Sequence, residues 1–189
     1  MFQPRKLQIY NTLSHQKEEF IPLFEEGKAD FVGFYSCGPT VYRSPSIGNN
    51  RASFTADLIR NTLQHMCGYP VKSVMNITDV GHLTSDGDTG EDKLEKGAKR
   101  EGTSAWEVAK KYEGVFYEGL KKLHIEPFDV MPRATDHIQE QKAMVQTLID
   151  KGYTYMVPED GIYMDTSKVE EYGELMGPNY KKRLEHLNA

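Results

Sequence analysis

Cys37-Gly38-Pro39-Thr40-Val41-Tyr42-Arg43-Ser44-Pro45-Ser46-Ile47-Gly48-Asn49-Asn50-Arg51 is the stretch on which the fold of this chain turns. It follows an apolar run, residues 31–36, that reads as a buried strand, and it leads into a segment with helical spacing. Pro39 and Pro45 fix backbone angles, whereas Gly38 and Gly48 let a ligand or another backbone come close. A strand, a glycine-bearing loop and a helix, in that order, can bring a nucleotide's phosphates to the amide end of the helix. The loop is longer than a structural strand-to-helix turn needs, which favours a ligand over a plain connection.

Outward from the loop, residues 51–66 place Phe54, Leu58, Ile59, Leu63 and Met66 on one helical face, and Gly68 supplies the stop. Residues 71–77 read as a second buried strand. Strand, helix, strand over this span predicts a βαβ unit, a parallel sheet and an α/β fold. Upstream, residues 7–12 alternate like a short strand, and a charged connector containing Gln16-Lys17-Glu18 follows. Downstream, residues 84–92 read as an acidic surface loop, ahead of helices expected over 92–101 and 104–124. The second of these helices presents Trp106, Ala109, Tyr112, Val115, Phe116, Leu120 and Leu123 on one side. Pro127 to Pro132 reads as a boundary; a helix over 136–151 and a hairpin over 153–157 and 161–165 come after it. From Lys168 the chain is polar and weakly helical.

The bulk properties bound the function. With 27% charged and 38% hydrophobic residues, the 189-residue chain has an ordinary globular composition. A net charge of −5 argues against a chain built wholly around nucleic acid, while leaving room for a local basic face. No apolar run approaches the roughly 20 residues of a membrane helix, and Met1 to Lys6 lacks a signal-peptide core. Cys37 and Cys67 make neither a disulfide framework nor a CxxC zinc knuckle, so a reduced, cytoplasmic protein without a membrane partner is expected.

Cys37 alone is either a small buried hydrophobe or a thiolate that could bind a metal, and no spaced His/Cys cluster completes a site around it. Cys67, at a helix end, reads as structural. Asn76-Ile77-Thr78-Asp79 closes a predicted parallel strand, where ligands collect. Thr78 and Asp79 therefore either face the crevice of Cys37 or cap a helix. The acidic run from Asp86 to Asp92 fails the calcium-loop pattern, because Glu91 stands at the required glycine and Gly97 at the twelfth position. Lys93, Lys96, Lys99, Arg100, Lys110 and Lys111 alternate with acids and read as a solvated face.

Taken together, several segments resemble the class I aminoacyl-tRNA synthetases, and cysteinyl-tRNA synthetases in particular. They are 7–12 with Gln16-Lys17-Glu18, 37–42, Ile47-Gly48-Asn49, Arg51, 76–79, Pro132-Arg133-Ala134-Thr135 with His137-Ile138, and Tyr172-Gly173 with Leu175. The resemblance implies the first half of a Rossmann-like catalytic domain over 1–127, and the start of a connective α+β insertion for the tRNA acceptor end over 128–189. It implies activation of cysteine with ATP and magnesium to cysteinyl-adenylate, then transfer to the tRNA acceptor end. By the same resemblance, Cys37 is one ligand of a zinc ion whose remaining ligands lie outside this chain. Gly38 and Thr78 line the cysteine pocket, and Thr40, Ser46, Ile47, Gly48 and Asn49 meet ATP, with Ser46 and Asn49 at the catalytic positions.

This sequence departs from the family's HIGH motif, carrying Ser46 and Asn49 where the motif has its two histidines. Losing one phosphate-facing donor typically costs about 10²- to 10³-fold in rate; an amide at 49 still donates, and His82 is a candidate replacement for the donor missing at 46. The chain also stops before the family's other zinc ligands, second nucleotide-fold half, KMSKS loop and anticodon-binding domain. The expectation is an N-terminal portion that is not competent alone, with the missing C-terminal half as its partner. Two alternatives stay open: a non-catalytic paralogue acting as a binding or regulatory module, and a cysteine:amine ligase of the mycothiol-pathway type.

Overall fold

The computed structural model describes residues 6–23, 25–81 and 92–176. In chain order the elements are β1 (Gln8–Asn11), β2 (Gln16–Glu19), β3 (Val32–Ser36), α1 (Ile47–Asn61), β4 (Val71–Met75), α2 (Lys93–Glu101), α3 (Ala105–Lys122), α4 (Ile138–Asp150), β5 (Thr154–Val157) and β6 (Gly161–Met164). They fall into two compact units: one takes in Ile21–His137, the other Leu7–Phe20 with the described residues from Ile138 onward.

In the first unit β3 and β4 pair in parallel, from Val32 opposite Val71 to Ser36 opposite Met75, with α1 as the connection between them. This is the expected βαβ unit of a Rossmann-like α/β fold. A third parallel ribbon lies on the far edge of β4, where Met75 N donates to the Val130 carbonyl at 3.0 Å and Ile77 N to the Pro132 carbonyl at 2.8 Å. The stretch from Pro127 to Pro132, read above as a boundary, therefore belongs to the sheet. Pro132 suits an edge, since its carbonyl faces β4 and it has no N–H to leave unpaired.

Helix α1 corrects the sequence reading in two ways. It starts at Ile47, capped by Ser46, and ends in a π-helical turn over Thr62–Met66. It also buries the other face: Ser53, Ala56, Asp57 and Arg60 point inward, while Phe54 and Leu58 are more than half exposed and only Leu63 of the apolar stripe is buried. The reason is a buried arginine whose two terminal nitrogens are paired, its Nε alone lacking a partner among the described residues. Arg60 pairs with Asp57, donates to the carbonyls of Pro127 at 2.9 Å and Glu126 at 3.0 Å, and lies over the Phe128 ring at 4.8 Å. A paired, hydrogen-bonded charge can be buried, and small Ser53 and Ala56 let the helix approach closely.

Helices α2 and α3 start at their caps. Asp92 accepts from Leu94 N at 2.7 Å, and Ser104 with Glu107 forms a reciprocal capping box. Helix α3 buries Ala109, Phe116 and Leu120 in one cluster with Met75, Ile77 and Leu94, and buries Val108 beside Gly97 of α2, leaving Trp106 and Leu123 of its predicted face exposed. Gly97 lets α2 lie on the loop after β3, because a Cβ there would stand 3.1 Å from both the Tyr42 carbonyl oxygen and Val108 Cγ1.

The α2–α3 junction is held by Glu101, which accepts from Lys111 Nζ at 2.6 Å, from the Tyr112 hydroxyl and from Arg100 Nη2 at 2.9 Å. Those hydrogen bonds, Lys111's first, lower its carboxyl from the ordinary 4.5 to about 2. A carboxyl depressed by folding contributes stability above its unfolded pKa, and the contribution fades as pH falls through the folded value. Glu101→Gln is thus expected to flatten the acid dependence of the unfolding midpoint between pH 4.5 and 2. Carbon-detected titration of the Glu101 carboxyl checks the cause, and a midpoint near 4.5 would refute it.

In the second unit α4 precedes the antiparallel β5–β6 hairpin, whose turn carries Glu159 at φ +62° and whose Tyr155 and Tyr163 rings stack at 5.8 Å. The Gln16-Lys17-Glu18 segment, expected as a connector, is strand β2, paired antiparallel to β1. All four β2 residues are exposed, so no apolar alternation marks the strand in the sequence. His15 at φ +57° and the Asn11 side chain, which accepts from Leu13 N at 2.9 Å, make the turn instead. His82 and the acidic run from Asp86 to Glu91 lie outside the described residues, as does the chain after Met176. Among the described residues, no helix is long and apolar enough to cross a membrane.

Candidate functional site

The site is built on a break in the β3–β4 ladder. Pairing stops at Ser36–Met75 and resumes at Thr40–Thr78, so Cys37, Gly38 and Pro39 lie opposite only Asn76 and Ile77. This one-residue bulge re-aims the chain at the carboxyl end of the sheet. Glycine is required at 38, where a Cβ would stand 1.7 Å from the Asn76 carbonyl oxygen. Gly38 N donates to Asn76 Oδ1 at 2.9 Å, the Tyr35 hydroxyl donates to the same oxygen at 2.9 Å, and Asn76 Nδ2 donates to Thr78 Oγ1 at 3.0 Å. The ladder then closes through Thr78 N to the Pro39 carbonyl at 2.9 Å and Val41 N to the Thr78 carbonyl at 3.1 Å.

Within the bulge the Cys37 thiol is exposed. Partial burial, then the neighbouring Cys37 thiol, push the Tyr35 phenol up. Cys67 is 3% exposed and its thiol is pushed up by burial, in keeping with a structural role. Asp79 turns away from the bulge: it accepts from Thr135 N at 3.0 Å and Thr135 Oγ1 at 2.5 Å, capping the Thr135–His137 turn. Of the two readings of Asp79, capping holds and the crevice does not.

Ser46 and Asn49 spend much of their side chains on each other. Ser46 Oγ accepts from Asn49 N at 3.2 Å and donates to Asn49 Oδ1 at 2.8 Å, while Ser46 N donates to that Oδ1 at 2.9 Å. Serine is one of the best N-caps and Asn49 completes the box, which explains why the helix begins here. The Ile47 and Gly48 amides precede the first intrahelical bond, from Asn50 N to the Ser46 carbonyl, and remain as donors on the positive end of α1. Among the described residues Asn49 Nδ2 and the Arg51 guanidinium have no partner.

Two crevices flank the loop. A cavity of about 290 Å³ is lined by Gly38, Thr40, Tyr42, Asn49, Lys93 and Tyr112 among others. A second, of about 630 Å³, is lined by Tyr35, Cys37, Gly48, Arg51, Thr55 and Ile59 among others. The structure thus brings Cys37 together with Gly48, and Gly38 with Thr40 and Asn49, while Ser46 and Ile47 line neither crevice and Thr78 stands behind the bulge. The second crevice combines a thiol, helix amides and a guanidinium, groups suited to a soft or anionic ligand. Sequence reading assigned no role to Arg51, Tyr35 or Asn76. Arg51, three residues after Gly48, was findable by helical spacing; the other two depend on the bulge.

A lone Cys37 does not make a zinc site, which takes three or four ligands, and no group of three or more His, Cys, Asp or Glu side chains among the described residues could hold a metal.

Residues 23–188 match the family described as tRNA synthetases class I (C) catalytic domain. The chain belongs to that family. Among its relatives is cysteine–tRNA ligase 1 of Burkholderia lata, 47% identical over 169 residues, covering 89% of this chain and 35% of the relative. The cysteine–tRNA ligase of Treponema denticola is 44% identical over 183 residues, covering 97% and 35%. That of Zymomonas mobilis is 44% identical over 169 residues, covering 89% and 32%. The chain spans about a third of the length of these relatives. Within this class I family, the β3–loop–α1 segment is the part that carries the groups described above.

Proposed function

We propose that this chain is the nucleotide-side portion of a cysteine–tRNA ligase, which activates cysteine with ATP and magnesium and passes it to tRNA. The observation that carries this reading is the convergence of the Cys37 thiol, the Gly48 end of α1 and Arg51 on one crevice. The ATP phosphates would meet the Ile47 and Gly48 amides and Arg51, with Asn49 Nδ2 and Thr40 on the adjoining side. The substrate carboxylate attacks the α-phosphorus, pyrophosphate leaves, and the positive helix end stabilises the charge gained by the phosphate oxygens. A tRNA 3′-terminal hydroxyl then attacks the acyl carbon, and AMP leaves.

Ser46 acts here as a positioning residue, through the cap that holds Asn49. Gly38 and Thr78 belong to the amino-acid side. Cys37 would give one thiolate to a zinc ion, whose other ligands are not among the described residues. The catalytic portion is assigned to the unit of Ile21–His137, whose sheet takes in Val130 and Pro132 beyond the boundary expected at 127, and the acceptor-end insertion to the residues after it; the remaining two-thirds of such a ligase is the partner this reading needs. The compartment that suits a free Cys37 is the cytoplasm.

The capping role of Ser46 also favours a second reading, a non-catalytic module that binds ATP or cysteine without joining them. One variant set separates the two. A Cβ at Gly48 would stand 3.6 Å from Ser46 Oγ, an ordinary contact, so Gly48→Val folds while filling the crevice. Calorimetry should show magnesium-ATP binding that weakens at least tenfold in Gly48→Val; equal binding refutes the nucleotide site. Cysteine-dependent ATP–pyrophosphate exchange supports the ligase, and binding without exchange supports the module. Acyl transfer to a small amine instead of tRNA would favour the cysteine:amine ligase.

A further inference from the structure

The smaller cavity has cations in its wall that play no part in the chemistry above. Resting on the nucleotide reading of this loop, we propose that Lys93 is the phosphate-binding cation of that cavity. The cavity then takes the β- and γ-phosphates of ATP, the part released as pyrophosphate.

The helix that carries Lys93 is pinned to the loop. Lys93, Gly97 and Arg100 stand at i, i+4 and i+7, on one face of α2. A Cβ at Gly97 would stand 3.1 Å from the Tyr42 carbonyl oxygen, and Arg100 Nη2 donates to that oxygen at 2.9 Å. This face therefore lies on the loop after β3, and its first residue, half-buried Lys93, lines the cavity with Thr40 and Asn49. The sequence groups Lys93 with the solvated charges of α2 and α3; the packing of this face corrects that. Arg43, over the Tyr42 ring at 5.2 Å, lines the cavity too, and none of the described lining residues carries a carboxylate. Two cations, a hydroxyl and a carboxamide without an acid among them suit an oxyanion, and lysine binds phosphate as a point charge. A cation in the first turn of a helix is also disfavoured by the dipole, so local preference does not explain Lys93. At about 290 Å³ the cavity falls below the roughly 300–1,000 Å³ of pockets that take whole ligands, so it suits a phosphate group rather than a nucleotide. Asn49 borders it, one residue past Gly48 of the wider crevice, so a phosphate chain at the end of α1 can reach both.

Calorimetry on the intact chain tests this, with magnesium pyrophosphate, magnesium-ATP and AMP as probes. Lys93→Gln should weaken pyrophosphate and ATP at least tenfold and leave AMP unchanged, while Lys93→Arg keeps most of the affinity. Lys110→Gln, which removes an exposed charge that does not line the cavity, should change none of the three. A loss in Lys110→Gln equal to that in Lys93→Gln would reduce the effect to net charge and overturn the proposal. So would an equal loss for AMP, or a wild type that binds neither pyrophosphate nor ATP. A lower unfolding midpoint in Lys93→Gln with unaltered affinity would give Lys93 a structural role instead. If the wild type binds pyrophosphate through Lys93 but does not bind ATP, the nucleotide reading fails and the anion site stands. If ATP binding depends on Gly48 and not on Lys93, the nucleotide reading stands and this proposal fails.

Discussion

Gly38→Ala should destabilise the first unit by about 3 kcal/mol or more, the upper range for overpacking a filled position. The added methyl would stand 1.7 Å from the Asn76 carbonyl oxygen, 2.8 Å from its carbon and 2.9 Å from Met75 Cγ. Two of these three atoms are backbone of the central ladder, so no side-chain rotation relieves the clash. The bulge must open, which also removes the Gly38–Asn76 hydrogen bond and frees the Cys37 segment. Gly33, on the same strand, is the control: a Cβ there has nothing within 4 Å. Gly33→Ala should therefore be neutral or slightly stabilising. Urea unfolding of the two variants side by side decides it; comparable midpoints would mean that the bulge is not the constraint described.

Arg60→Ala should cost about 3–5 kcal/mol, the range for breaking a buried ion pair from one side. The guanidinium is the only described partner joining α1 to the Glu126 and Pro127 carbonyls, and its side chain is just 6% exposed. Truncation strands Asp57, whose side chain is 12% exposed, and removes the cation above Phe128. Because much of the loss is the stranded carboxylate, Arg60→Ala with Asp57→Ala should be less destabilised than the sum of the single changes. Strict additivity, or a single-variant loss below about 1 kcal/mol, would show that the pair does not hold the helix to the sheet.

These two positions mark where sequence patterns are informative and where they mislead. The order of strand, glycine loop, helix and strand was legible because backbone periodicity and turn chemistry are local. The caps at Ser46, Asp92 and Ser104 follow the same logic. The buried face of α1 was not legible. Apolar spacing pointed to Phe54, Leu58 and Ile59, yet the sheet takes Asp57 and Arg60, whose charges become tolerable only when the Glu126 and Pro127 carbonyls arrive from sixty-odd residues away. Strand β2 was hidden for the opposite reason, since a fully exposed strand carries no alternation to detect.

The site divides in the same way. By itself the sequence determined the α/β class, the family resemblance and the loop that carries Cys37, Gly38, Gly48 and Asn49, because these rest on residue types at fixed spacing. Tertiary structure alone decided that Asp79 serves Thr135 and that Cys37 shares a crevice with Arg51. It also decided the place of Asn76, since a one-residue slip between two strands exists only once both are paired, and the hydrogen bonds it leaves unmade must then find partners across the sheet.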